Sequence, residues 1–193
     1  MNGKVILKWS LAIIWFAGAS FLVLSMNTQT TKAFDHDLRL SQQLMSLEFE
    51  TNFSDLLNEL TNEQSAQNPV KRLIHFESEQ PCFCQTLAQA HINTLNSMLE
   101  DSDVHINTLN VSKIAILKHY VPSTPAVAVI DSNGELAYFG PYSSGSGCFG
   151  RSGEVNEVVK QRFLEPNALT LNSHEFSRAI IRAEARGCYC HQS

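Results

Sequence analysis

The tetrapeptide Pro81-Cys82-Phe83-Cys84 sits between two segments of different periodicity. Before it, Val70–Phe76 (VKRLIHF) is a short apolar stretch of strand length. After it, Leu87, Ala88, His91, Ile92, Leu95, Met98 and Leu99 recur at helical spacing. A cysteine pair that follows a strand and opens a helix calls for an α/β arrangement. At a helix N-terminus the positive end of the macrodipole favours thiolate, the reactive form of cysteine.

The remaining cysteines extend this theme. Cys188 and Cys190 form a second Cys-x-Cys pair near the C-terminus, and Cys148 lies in a Gly/Ser-rich stretch. Five cysteines is an odd number, so a purely structural disulfide framework leaves one thiol over. The net charge of −5, with no Lys/Arg-rich run in the soluble part, argues against a nucleic-acid partner.

The N-terminus reads as a membrane anchor. Val5–Leu24 (VILKWSLAIIWFAGASFLVL) carries Lys8 as its only charge and matches the roughly 20 residues that cross a bilayer as a helix. Lys8 sits near one end, where it can snorkel, beside the interfacial aromatic Trp9. Lys4 and Lys8 are the first positive charges, and none follows until Lys32. The positive-inside rule then leaves the N-terminus in the cytoplasm and exports the rest. Ala17-Gly18-Ala19 resembles a signal-peptidase site. The apolar run continues past it through Phe21–Leu24, however, and is longer than a signal core, so an uncleaved anchor is the preferred reading.

Residues 1–26 are thus read as the anchor, 27–45 as a polar tether, and 46–193 as one domain with a cysteine-bearing extension over 166–193. Leu38–Leu60 has the spacing of one or two amphipathic helices. Val104–Leu109 alternates as a strand, Ser112–His119 is a short helix, and Ala126–Asp131 is a continuous apolar strand. Asn133-Gly134 marks a hairpin whose return strand is Glu135–Phe139. Glu154–Leu164 is an amphipathic helix, and His174–Arg186 has a helical pattern ended by Gly187. The hexapeptide HINTLN occurs at 91–96 and at 105–110. The first copy is expected in a helix, because it lies within a 3.6-residue stripe. The second is expected in a strand, because it follows a polar break.

The order helix, strand, cysteine motif, helix, strand, helix, Thr-Pro, strand, hairpin, strand, helix resembles the thioredoxin superfamily over about residues 46–165. The expected fold is a thioredoxin-like central mixed sheet flanked by helices, with the N-terminal transmembrane helix in front. The whole pattern resembles a bacterial family of membrane-anchored thioredoxin-like proteins with Cys-x-Cys motifs more than it does a known reductase. The resemblance implies that Pro125 is a cis-proline beside the cysteines. It also implies that Thr124 presents its backbone to a thiol or disulfide partner protein, and that the domain is periplasmic on a single-pass inner-membrane anchor. It further implies thiol–disulfide exchange in which Cys82 attacks and Cys84 resolves. A ring closed between Cys82 and Cys84 has one spacer fewer than Cys-x-x-Cys. Such a ring is expected to reduce readily, which suits an oxidant or isomerase.

Exchange chemistry of this kind needs no cofactor. Cys148, Cys188 and Cys190 are candidate accessory redox residues, the tail pair passing electrons to the first. The alternative is a metal site: Cys82, Cys84, Cys188 and Cys190 have the ligand count of a closed tetrahedral centre for copper or zinc, provided the tail folds back. A third reading is a non-catalytic interaction domain held by disulfides. His91 is about 10 Å along the helix from Cys84 at 1.5 Å per residue, too far to share a metal with it. His91 and His75 are both expected in the core, and His191 is the one histidine beside a cysteine pair. No Ser-His-Asp set, phosphate loop or HExxH motif stands out.

Overall fold

The computed structural model describes residues 3–61, 70–79, 82–145, 153–164 and 178–191, with side chains over 7–22 only in the first helix. That helix, α1, spans Gly3–Thr30. Among the described residues no helix is long and apolar enough to cross a membrane.

The chain continues through β1 (Lys32–Ala33), α2 (Arg39–Gln43), α3 (Phe49–Leu60), β2 (Lys71–Glu77), α4 (Phe83–Leu99) and β3 (Val104–Asn110). It then forms α5 (Leu117–Tyr120), β4 (Ser123–Thr124), β5 (Ala126–Ile130), β6 (Leu136–Gly140) and α6 (Glu154–Val159). Short strands β7 (Ile180–Ile181), β8 (Arg186–Gly187) and β9 (Cys190–His191) complete it. The result is a mixed α/β fold around a five-stranded sheet of order β3-β2-β5-β6-β7. β2 runs parallel to β3 and antiparallel to β5, and β5 and β6 form the antiparallel hairpin. Gly134 supplies the positive φ of its turn, 79°.

The central strands are apolar on both faces because both faces are covered. Ile74, Phe76, Ala126, Ala128 and Ile130 pack with Phe49, Phe53 and Leu57 of α3. Their alternates Leu73, Val127 and Val129 pack with Leu95 and Leu99 of α4 and with Val155 and Val159 of α6. Pro125, between β4 and β5, follows a cis peptide bond.

Several sequence expectations change. Residues 32–45, read as tether, are part of the packed fold: Phe34 and Leu40 are fully buried. Asp35 there accepts hydrogen bonds from the backbone N–H groups of Leu40 and Ser41 at 3.1 and 2.7 Å. Of Ser112–His119, only the end is helical. The Asn110 carboxamide oxygen takes up the N–H groups of Ser112 and Lys113 at 3.0 and 3.2 Å, fixing turns instead. The last helix ends as α at Val159 and closes with a π turn over Lys160–Leu164. The tail is not helical over 178–186. Strand pairing overrides its weak helical pattern: β7 joins β6 in parallel, and β8 joins β1 antiparallel. Residues 174–177 of that expected helix, Pro81 and Cys148 lie outside the described residues.

Candidate functional site: a four-cysteine centre

Two short segments build the site. Cys82 is the N-cap of α4 in extended conformation, with φ −96° and ψ 164°, and Cys84 lies one residue inside the helix. Opposite them runs the tail. An extended chain alternates its side chains, so Cys188 and Cys190 share one face while Tyr189 takes the other. Tyr189 goes inward. It is 3% exposed, lies edge-on to Phe34 with ring centroids 5.3 Å apart, and donates its hydroxyl proton to the Ser143 carbonyl at 3.2 Å. Lys32 pairs with Gly187, and the Phe34 N–H donates to the Ala185 carbonyl at 2.8 Å. β9 pairs antiparallel with β4, setting Thr124 opposite Cys190 and Ser123 opposite His191.

This antiparallel meeting links the cysteines crosswise along the two segments. Cys82 is bonded to Cys190 and Cys84 to Cys188, with Cα separations of 6.3 and 5.3 Å. The expected Cys82–Cys84 ring is therefore not closed, and Cys190 rather than Cys84 is the bridge partner of Cys82. The Sγ atoms of Cys82, Cys84 and Cys190 lie within 4.8 Å of one another. All four cysteines are half-buried. Phe83, between the first two, points outward and is 70% exposed. The sequence-derived residues Thr124 and Pro125 do come together with the cysteines. Thr124 carries the tail's Cys190 by strand pairing, and Pro125 lines a small cavity behind Cys84 and Cys188.

That cavity, about 10 Å³, has room for one water at most and is also lined by His91 and Tyr142. The Tyr142 ring stacks between those of His91 and His75, at centroid separations of 6.2 and 5.8 Å. His75 Nε2 lies 3.0 Å from the carboxamide oxygen of Asn96, which can only accept, so Nε2 carries the proton. His75 Nδ1 then accepts from the Tyr142 hydroxyl at 2.6 Å. Burial pushes the His75 pKa down, against a smaller upward effect of the Asn96 bond. Burial, reinforced by the charge of Glu77, holds the Tyr142 hydroxyl well above its ordinary value.

On the outer side, the His191 ring lies against His36 with centroids 3.9 Å apart. The Ser123 hydroxyl donates to the Phe34 carbonyl at 2.5 Å, so His191 Nδ1, 3.0 Å away, is the donor to Ser123 Oγ. Partial burial lowers the His191 pKa. His36 and Lys32 add to this, and Asp37 opposes it. The sequence reading missed His36, Ser123 and Tyr189. Ser123 adjoins the Thr124-Pro125 step, Tyr189 lies between the tail cysteines, and His36 precedes the Leu38 helical pattern. Nothing in the spacing shows that these regions meet.

No curated protein and no solved structure matches the chain. The family model described as domain of unknown function DUF6436 matches residues 49–192, a span that contains both Cys-x-Cys pairs and the Thr124-Pro125 step. A match over that share of the sequence places this chain in the DUF6436 family.

Proposed function

We propose that the chain is a thiol–disulfide oxidoreductase with a thioredoxin-like fold, held at the bacterial inner membrane by α1 and working on periplasmic proteins or a redox carrier. One observation carries the reading: Cys82 caps α4, and its bridge partner Cys190 is held beside it on Thr124, next to Pro125. A thiolate at that cap faces the positive end of a 17-residue helix. In the reduced form, the Cys82 thiolate attacks a partner disulfide, forming a mixed disulfide and releasing one partner thiolate. Cys190 then attacks Cys82 Sγ, which closes the Cys82–Cys190 bridge and releases the second partner thiolate. Two electrons pass from chain to partner; the reverse sequence oxidises a partner dithiol. Cys84–Cys188 is a second two-electron store alongside; Cys190 thus takes the resolving role expected of Cys84, and Cys84 joins Cys188 in the accessory one.

Removing the resolving sulfur should expose the intermediate. In Cys190→Ser, Cys82 has no bridge partner, and mixed disulfides with partner proteins should accumulate as reducible higher-mass adducts. These should vanish in Cys82→Ser/Cys190→Ser. Absence of adducts, together with a Cys82 thiol titrating near the ordinary value of about 8.5, would rule out the exchange reaction.

A further inference from the structure

We infer that, once both bridges are reduced, Cys82, Cys84, Cys188 and Cys190 form a closed tetrathiolate site for one zinc ion. Metal and disulfides are then mutually exclusive occupants of the same four sulfurs. The inference does not depend on the exchange reaction. It rests on the convergence of the sulfurs and on what holds them.

In a tetrahedral site with Zn–S of about 2.3 Å, the sulfurs stand about 3.8 Å apart. The Sγ atoms of Cys82, Cys84 and Cys190 already lie within 4.8 Å of one another, and Cys188 is bonded to Cys84. Reduction lengthens each bridge to a non-bonded contact, which moves the sulfurs toward that spacing. The backbones need not follow, because each is held independently of the bridges. One pair sits on the first turn of α4, packed by Ala88 and Leu95. The other sits on the tail, fixed by Tyr189 in the core and by pairing with β1 and β4. The intervening residues point away, Phe83 to solvent and Tyr189 inward, so no side chain of either pair stands between the sulfurs. Four soft ligands from two rigid segments complete the coordination of zinc and favour it over hard cations. The helix N-terminus opposes the negative charge of the thiolates.

The balance is simple. Reducing two disulfides to four thiols takes four electrons and four protons: two equivalents of a dithiol supply both, while two equivalents of a phosphine supply the electrons and become phosphine oxide, with two waters giving the oxygen and the protons. Zinc binding releases their protons. Oxidation of the four thiolates by a disulfide-class oxidant rebuilds the bridges and expels the ion.

The test uses the full chain in detergent, reduced with a phosphine under anaerobic conditions, desalted and titrated with zinc alone against a chromophoric chelator. About one zinc per chain is expected for the reduced protein, and none for the oxidised protein. Cobalt(II) in its place should give the ligand-field and charge-transfer bands of a four-thiolate tetrahedral site. Cys188→Ser/Cys190→Ser should lose the ion, while Cys148→Ser should retain it. The cobalt spectrum is read on the unaltered chain, so a tail variant that misfolds does not decide the outcome. A reduced chain with its thiols intact that binds no zinc overturns the inference, as does a two-thiolate cobalt spectrum or zinc retained by the tail variant. Partner adducts on Cys190→Ser without zinc binding would sink this site alone and leave the exchange reaction standing.

Discussion

His75 sits on the α4 face of the sheet, 4% exposed, with both ring nitrogens engaged by neutral partners. The hydrogen bonds need a neutral ring, and burial disfavours the charged one. Unfolded His75 takes up a proton below about pH 6.5, whereas the folded residue resists it. Stability from this group is therefore complete above that pH and declines as pH falls through it, by up to about 1.4 kcal/mol per pH unit. Urea unfolding of the oxidised protein at pH 7.5 and 5.5 should show the loss, and His75→Gln should flatten the slope; equal slopes would refute the assignment. That His75 and His91 belong in the core was legible from their apolar neighbours, and both are buried. Their partnership with Tyr142 was not legible, because Tyr142 follows β6, far along the chain. The cysteines divide in the same way: the two motifs are plain in the sequence, but spacing within a motif does not encode pairing between motifs.

The repeated hexapeptide shows what context decides at the level of elements. His91–Asn96 lies in α4 and His105–Asn110 in β3, as the surrounding periodicity implied. Where context was thin, the reading failed. The tail has no strong period of its own, and its strands are two residues long, specified by the edges they meet. The bridges fix one consequence. Cys82–Cys190 spans 108 residues and Cys84–Cys188 spans 104, yet both join the same two segments. With either bridge present, the other closes only a small ring. By the loop-entropy relation, the first bridge contributes about 5 kcal/mol and the second about 2 kcal/mol. Removing either pair by Cys→Ser should cost about 2 kcal/mol, and removing both about 7 kcal/mol. Denaturant melts of the two single-bridge proteins and the bridge-free protein give the cycle, and simple additivity would contradict the shared-segment geometry.

At the scale of the molecule, a two-faced sheet buries its hydrophobic strands under α3 on one side and under α4 and α6 on the other. The sequence order made this layered arrangement legible, since alternating strand and helix patterns leave few other solutions. The role of residues 32–37 was hidden: a few apolar side chains among polar ones look like a linker until β8 is seen beside them. The apolar composition of Val5–Leu24 keeps the proposed anchor in view. Full-length protein should stay with membranes through carbonate washing, and its domain should be digested by protease added from the periplasmic side. A soluble form beginning near Phe21 would establish cleavage instead.

The paired bridges also set how the tail answers its surroundings. Opening Cys82–Cys190 alone leaves the strand covalently fastened through Cys84–Cys188, so the first two electrons change the chemistry of the centre but not its shape. The next two remove the last covalent tie, and the strand is then held by its pairing with β4 and by Tyr189 in the core. Because both bridges join the same two segments, a bridge that opens while its neighbour is closed re-forms at high effective concentration, and the untied form accumulates only when both are reduced. The covalent tie of the C-terminal strand thus behaves as a two-key lock, indifferent to a brief or weak reducing pulse and responsive to a sustained one.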